Sequence, residues 1–284
     1  THSSPTRRSS DLERVLDRLN MKAMSPVLPS RLQGIYDEKE YNRFVNYKRE
    51  TGRLEWLESV VGFIVMLGFL CAGGFGWLNG WIVSWTDSVV WQTLLFMGIL
   101  SVASGVLEMP FDWYATFRIE EKYGFNKTTW KTYVGDFLKG MLLSALLGGL
   151  LLSAVVWFYE WAGPLFWLYA WIAVTVVSVF MSMFYSQLIV PLFNKQTPLE
   201  QGSLRDKIQA FADKVGFRLD NIYVMDGSKR STKANAYFTG LGPKKRIVLY
   251  DTLIDELTEE EIVAVLAHEV GHYKRKHTVQ FMLA

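Results

Sequence analysis

Four apolar stretches, approximately Leu57 to Leu78, Val89 to Met109, Met141 to Trp161 and Leu165 to Val190, constrain this chain more than anything else in it. Each matches the roughly 20 residues that a helix needs to cross the hydrocarbon of a bilayer. The first, third and fourth carry no charge in their interiors, and the second meets Glu108 only at its end, beside Pro110. A soluble core helix is shorter and shows a polar face. The expected architecture is therefore a multi-span α-helical membrane protein with about four transmembrane helices, and the lipid bilayer is its first partner.

The tryptophans and the charges support those limits. Trp77, Trp81, Trp85, Trp91, Trp157, Trp161 and Trp167 gather near the ends of the stretches, where an amphipathic indole sits among headgroups. Segments Gly80 to Ser88 and Glu160 to Pro164 hold no Lys or Arg. Phe111 to Gly140 holds Arg118, Lys122, Lys127, Lys131 and Lys139, which marks it as the cytoplasmic loop. With four spans, the basic segment before Leu57 and everything after Val190 fall on that same side. Net charge is only +2, so no basic field argues for nucleic acid as a partner. Cys71 is the single cysteine and lies in an apolar run, which rules out an internal disulfide and leaves any metal to His and carboxylates.

Residues 1–18 read as a leader. The Ser/Arg-rich start THSSPTRRSSD has no apolar signal core and does not match the composition that follows. It reads as foreign sequence, with an ordinary loose tail as the alternative.

Beyond Pro191 the texture is that of a soluble α+β module, so the chain divides into a membrane domain over 19–190 and a second domain over 191–284. Leu204 to Val215 predicts an amphipathic helix with Leu204, Ile208, Phe211, Ala212 and Val215 on one face. Asn221 to Met225, Asn235 to Thr239 and Arg246 to Tyr250 predict the strands of a small sheet. Thr258 followed by Glu261 has the spacing of a capping box, with Glu259 and Glu260 also suited to the positive end of the helix that starts there.

That helix carries His268-Glu269-Val270-Gly271-His272, an HExxH sequence. Helical positions four apart lie about 40° from eclipsed, so both imidazoles project from one face and can hold a single zinc ion. Glu269 is suited to act as the general base that takes a proton from attacking water, without ligating metal itself. The predominantly apolar approach from Glu261 to Ala267 predicts that the ligands sit on a buried helix rather than a solvated one. A chance HExxH in a chain with four histidines is the competing reading, at less than about one in a hundred such sequences. His277, five residues past His272 and about 140° round the helix, is expected off the metal face. Two histidines leave tetrahedral zinc short of a protein ligand. An upstream carboxylate or a residue beyond Ala284 can fill the place, and the second is the expectation. Lys274 to Lys276 predict a basic flank before a further span that Thr278 to Ala284 begins.

Five segments extend the reading: FRIEEKYGFNKTT (Phe117 to Thr129), PLFNKQTPLE (Pro191 to Glu200), IYVMDGSKRSTKANAYFTG (Ile222 to Gly240), KRIVLYDTLI (Lys245 to Ile254) and EIVAVLAHEVGH (Glu261 to His272). Together they resemble the type I CAAX prenyl endopeptidases, integral-membrane zinc metallopeptidases of the gluzincin group, over about Leu19 to the end. The resemblance implies His268 and His272 as zinc ligands, Glu269 as the catalytic glutamate and one Zn2+ per chain. It implies a third ligand, a glutamate on a later helix, that no residue here matches. It also implies that Asn235, Ala236 and Tyr237 lie beside bound substrate, where an edge strand can pair with an extended peptide; a local turn residue is the alternative for Asn235. Lys233 stands where some relatives carry histidine. The family's first span has no counterpart, so the chain reads as truncated at both ends. The implied reaction is removal of the C-terminal tripeptide from prenylated CAAX proteins, with the catalytic module on the cytoplasmic side of a bacterial inner membrane or the endoplasmic reticulum. A membrane quality-control metallopeptidase and a non-catalytic membrane scaffold are the rival readings.

Overall fold

A computed structural model of the chain describes residues 16, 19–216, 221–239 and 246–275, without the side chains of residues 31, 238, 239, 269 and 272–274. The leader apart from residue 16, His277 and the expected span from Thr278 lie outside the described residues. The chain forms two compact units: one from residues up to Leu78 with Ala103–Gly124, the other from Asn79–Val102 with the residues from Phe125 onward.

In the first unit, α1 spans Glu38–Cys71. It starts well before the apolar stretch at Leu57 because Asp37 caps it: its carboxylate accepts from the N–H groups of Lys39 (2.8 Å) and Glu40 (3.1 Å), with Glu38 and Glu40 at the positive end. It stops at Cys71, short of the expected Leu78. Gly73, at φ +69°, turns the chain through a conformation that other residues resist, and α2 (Gly74–Val83) begins directly after it. Helix α3 (Val89–Tyr114) runs through Pro110, where the sequence predicted an end, and continues as a π-helical turn over Ala115–Glu120. Proline removes one N–H from the ladder, a loss that leaves the helix continuous here. The first turns of α1 pack on that π turn and the residues after it. Val45, Ile119 and Tyr123 are buried there, Tyr47 Oη donates to Glu120 Oε1 (2.6 Å), and Arg43 donates to the Tyr123 carbonyl.

The second unit contains α4 (Trp130–Ala162) and α5 (Phe166–Leu188), packed as a hairpin about a single 3₁₀ turn at Gly163–Leu165. Thr129 caps α4 by accepting from the Thr132 N–H (3.2 Å). Among the described residues three continuous helical segments are long and apolar enough to cross a membrane: Glu38–Cys71, Val89–Glu120 and Trp130–Phe193. The last contains the hairpin, so three of the four predicted stretches fall on α3, α4 and α5, and the first divides between α1 and α2. Leu138, Leu142, Leu146 and Leu150, four residues apart on α4, are all exposed, Leu150 at 73%. A stripe of that length without a partner among the described residues is the surface of an integral membrane protein.

After α5 come α6 (Val190–Phe193), β1 (Gln196–Pro198), α7 (Ser203–Lys214), β2 (Ile222–Met225), β3 (Ala236–Thr239), β4 (Arg246–Tyr250), α8 (Asp251–Glu256) and α9 (Glu259–Lys274). The sheet order is β1-β2-β4-β3. β2 and β4 pair in parallel, Ile222 opposite Ile247, and the outer strands are antiparallel to their neighbours. The three predicted strands and the predicted helix are present. β1 is added; a three-residue polar segment ending in proline gives no alternation to read, and proline is tolerated because the strand is at an edge.

One face of the sheet is dry. Ile222, Ala236, Ile247 and Leu249 pack against Ile208 and Ala212 of α7, Leu253 of α8, and Ile262, Leu266 and Val270 of α9. Leu204, Phe211 and Val215 close the margin, as the amphipathic pattern required. Because Leu249 is fully buried, Leu249→Ala is expected to lower the unfolding free energy of the detergent-solubilised protein by about 2–5 kcal/mol. Leu150→Ala, on the exposed stripe, should leave the thermal midpoint nearly unchanged; equal effects of the two would contradict this assignment of core and lipid face.

Candidate metal centre

Thr258 and Glu261 fix the start of α9. Glu261 Oε2 accepts from the Thr258 N–H (2.9 Å) and hydroxyl (2.8 Å), and the Glu261 N–H reaches Thr258 Oγ1 (3.4 Å), which is the predicted capping box. The Thr258 N–H holds the Glu261 carboxyl below its ordinary range.

From there the register decides which residues face the sheet. Ile262, Leu266 and Val270 form the buried stripe. His268 stands two residues from Leu266 and from Val270, about 160–200° round the helix, and so turns to the opposite side. It is exposed. The apolar approach thus packs one side of the helix against the sheet, and His268 lies on the other side rather than on the buried face that the sequence suggested. Glu269 and His272 continue the same unbroken helix, their side chains lying outside what is described. Two imidazoles at positions four apart on continuous helix suit a small borderline-soft cation, so the donor chemistry fits zinc. Among the described residues no group of three or more His, Cys, Asp or Glu side chains gathers around a common point.

Helix α9 packs directly on β3, where the other candidate residues lie. Among the described residues β3 is the edge of the sheet, paired with β4 alone. The Tyr250 N–H donates to the Asn235 carbonyl (3.0 Å), so Asn235 and Tyr237 turn their backbone groups toward β4. By alternation, Ala236 and Phe238 turn theirs to the free edge. The Asn235 side chain occupies one of those outward donors: its Oδ1 accepts from the Ala236 N–H (2.9 Å). The Ala236 methyl is buried in the core, so at this position only backbone faces the edge.

Tyr237 points to the opposite face of the sheet, toward the end of α5. Its hydroxyl lies 3.4 Å from Ser186 Oγ and accepts from Gln196 Nε2 (3.4 Å), which also donates to Ser186 (3.2 Å). Ser186 is buried. Arg246 donates to Gln196 Oε1 (3.3 Å) and stacks on the Tyr223 ring at 4.2 Å, while its Nε is buried with no hydrogen-bond partner. Sequence reasoning missed this polar layer, as it missed Arg230 and Asp136. Their partners are tens of residues apart, and the one available signal was Asp136, a lone carboxylate near the foot of an apolar helix.

The fold and the donor pair define a membrane-embedded protein with an HExxH helix against a small mixed sheet. Residues 17–195 match the family model described as CAAX prenyl protease N-terminal, five membrane helices, and residues 198–284 match peptidase family M48. The chain belongs to the CAAX prenyl protease family, whose M48 peptidases are zinc-dependent. It is 35% identical over 283 residues to CAAX prenyl protease 1 homolog of Arabidopsis thaliana, covering 96% of this chain and 66% of that protein. It is 36% identical over 277 residues to CAAX prenyl protease 1 of Saccharomyces cerevisiae, covering 94% and 61%. The crystal structure of S. mikatae Ste24p superposes with a TM-score of 0.87 at 35% identity, over 96% of this chain and 66% of that one. The chain thus spans somewhat less than two thirds of the length of these relatives.

Burial pushes the Tyr237 phenol above its ordinary value, an effect the Ser186 hydroxyl partly offsets. Burial moves Tyr250 the same way, opposed by the Asn235 amide. These phenols keep their protons to higher pH folded than unfolded. Above the ordinary phenol pKa of about 10 the unfolded chain therefore binds fewer protons, and stability falls as pH rises toward the folded values. Thermal midpoints measured from pH 9 to 11 are expected to fall, and Tyr237→Phe should flatten the slope. An unchanged slope would remove Tyr237 from this account.

Proposed function

We propose that this chain is the membrane domain and the HExxH-bearing part of a zinc metalloendopeptidase that cuts the C-terminal tripeptide from prenylated CAAX proteins. The observation that carries the reading is the packing of the HExxH helix against an edge strand whose outer backbone groups face away from the sheet. In this reading residues 19–190 form the membrane domain and 191–284 the peptidase module, set on the cytoplasmic side by the basic residues between Phe111 and Gly140.

His268 and His272 hold one Zn2+, and Asn235, Ala236 and Tyr237 hold the substrate. Bound zinc supplies Lewis acidity to the scissile carbonyl. The peptide joins the free edge of β3 as an added strand, taking the outward N–H and C=O of Ala236. To free that N–H, the Asn235 amide turns away and becomes available to the peptide. Glu269 takes the proton of the attacking water and delivers it to the leaving amine. Tyr237, anchored through Gln196 and Ser186, keeps the strand from sliding along its own axis. A membrane enzyme suits this substrate class, because a prenyl anchor confines both partners to one bilayer.

The test uses the full-length natural protein in detergent, its zinc content measured alongside turnover of a farnesylated peptide ending in cysteine plus three residues. Cleavage once, after the cysteine, is expected. Glu269→Gln should lower kcat by about 10²–10⁴-fold with zinc retained, whereas His268→Ala should lose the metal. Indiscriminate cutting of unfolded membrane proteins would favour a quality-control peptidase instead. Zinc-free protein without activity would leave a scaffold.

A further inference from the structure

Between β2 and the edge strand, one guanidinium ties together parts of the second unit that are far apart in sequence. Arg230 Nε and Nη2 donate to Asp136 Oδ2 (2.7 Å) and Oδ1 (2.9 Å), a bidentate pair on α4. Arg230 Nη1 donates to Asn194 Oδ1 (2.9 Å), and Nη2 also donates to the Phe193 carbonyl (2.8 Å) at the end of α6. Both partners of the ion pair are about three-quarters buried, with side-chain exposures of 23% and 25%. The backbone on either side is committed as well. The Arg230 carbonyl accepts from the Lys127 N–H (2.9 Å) and from Thr128 Oγ1 (3.1 Å), and the Thr232 N–H donates to the Phe125 carbonyl (3.1 Å).

Three residues beyond Thr232 the chain reaches Asn235 and the outward-facing groups of β3. Thr252 Oγ1 donates to the Lys233 carbonyl (3.1 Å), so the lead-in is held at both ends. We infer that Arg230 is a positioning residue for substrate: through its fork to Asp136 and Phe193 it sets where the edge strand stands relative to the feet of α4 and α6. The inference rests on the reading of β3 as the substrate edge. Only arginine makes this set of bonds, since a lysine ammonium is a point charge that cannot span two carboxylate oxygens, an amide and a carbonyl in one plane. The contact links a membrane helix to the peptide edge, so a change at Arg230 should act on substrate binding before it acts on chemistry.

The test compares wild type, Arg230→Lys and Asp136→Asn in the full-length protein reconstituted in vesicles. With a farnesylated peptide ending in cysteine plus three residues, Arg230→Lys is expected to raise KM about tenfold while kcat stays within about twofold, with zinc content unchanged. Amide exchange at Thr232, Ala236 and Tyr237 should quicken, while Val224 of β2 keeps its protection. Asp136→Asn, which leaves the bonds to Asn194 and Phe193 in place, should give the same pattern more weakly, and it decides the matter if Arg230→Lys does not fold. Unchanged KM and exchange in the folded variant would overturn the inference. So would a fall in kcat, zinc content and protection of every strand together, which would mark Arg230 as a stability residue only. Should wild type cleave no prenylated peptide, the functional reading fails, and the exchange measurements still decide whether Arg230 holds the strand.

Discussion

Hydrocarbon offers no hydrogen-bond partner to a peptide group, and the rest of this structure follows from that constraint. The long apolar segments satisfy their backbones by coiling, and their helices extend past the apolar residues into polar ends capped by Asp37 and Thr129. The same demand reappears where the helices finish. The carbonyls of Leu192 and Phe193, at the close of α6, are met by Lys139 and Arg230 side chains. Side chains that complete helix ends are thus part of the junction between membrane helices and sheet in this unit.

The sheet divides its two faces between two kinds of contact. One face is a dry core against α7, α8 and α9, built from aliphatic residues at strand alternation and helical spacing. The other carries Tyr223, Tyr237 and Arg246, and meets the end of α5 through hydroxyl and amide groups of Ser186 and Gln196. Burying Ser186 there is tolerated because it has partners. The division lets β3 serve as a floor for the polar layer while its outer margin stays unpaired with any other strand of the described sheet.

The membrane character, the amphipathic α7, three strands and the capping box of α9 were legible because each rests on short-range periodicity or a fixed local spacing. Helix limits were less so. Gly73 ends α1 before the apolar run ends, and Pro110 fails to end α3, because hydropathy measures the lipid-exposed portion and not the hydrogen-bond ladder. His268, Glu269 and His272 stand out as candidates from their spacing alone, while the exposure of His268 followed only once Ile262, Leu266 and Val270 were known to claim the buried side. Arg230, Gln196 and Ser186 were not readable and Asp136 gave only its lone charge, since the pairing of Arg230 with a residue 94 positions away, and of Gln196 with Ser186 across a helix end, follows no helical or strand period.

The self-contact of Asn235 has one more implication. A bare strand margin is sticky toward any extended chain, including a second copy of the same protein, and proteins that keep one open usually blunt it. On the proposed reading of β3 as the substrate edge, Asn235, by folding its own amide over the Ala236 N–H, is a removable guard on that margin. A passing segment that offers a single acceptor gains little by displacing it. A long strand, matched over several residues, recovers the exchanged bond many times over, so the guard discriminates by length of pairing before any side chain of the visitor is inspected.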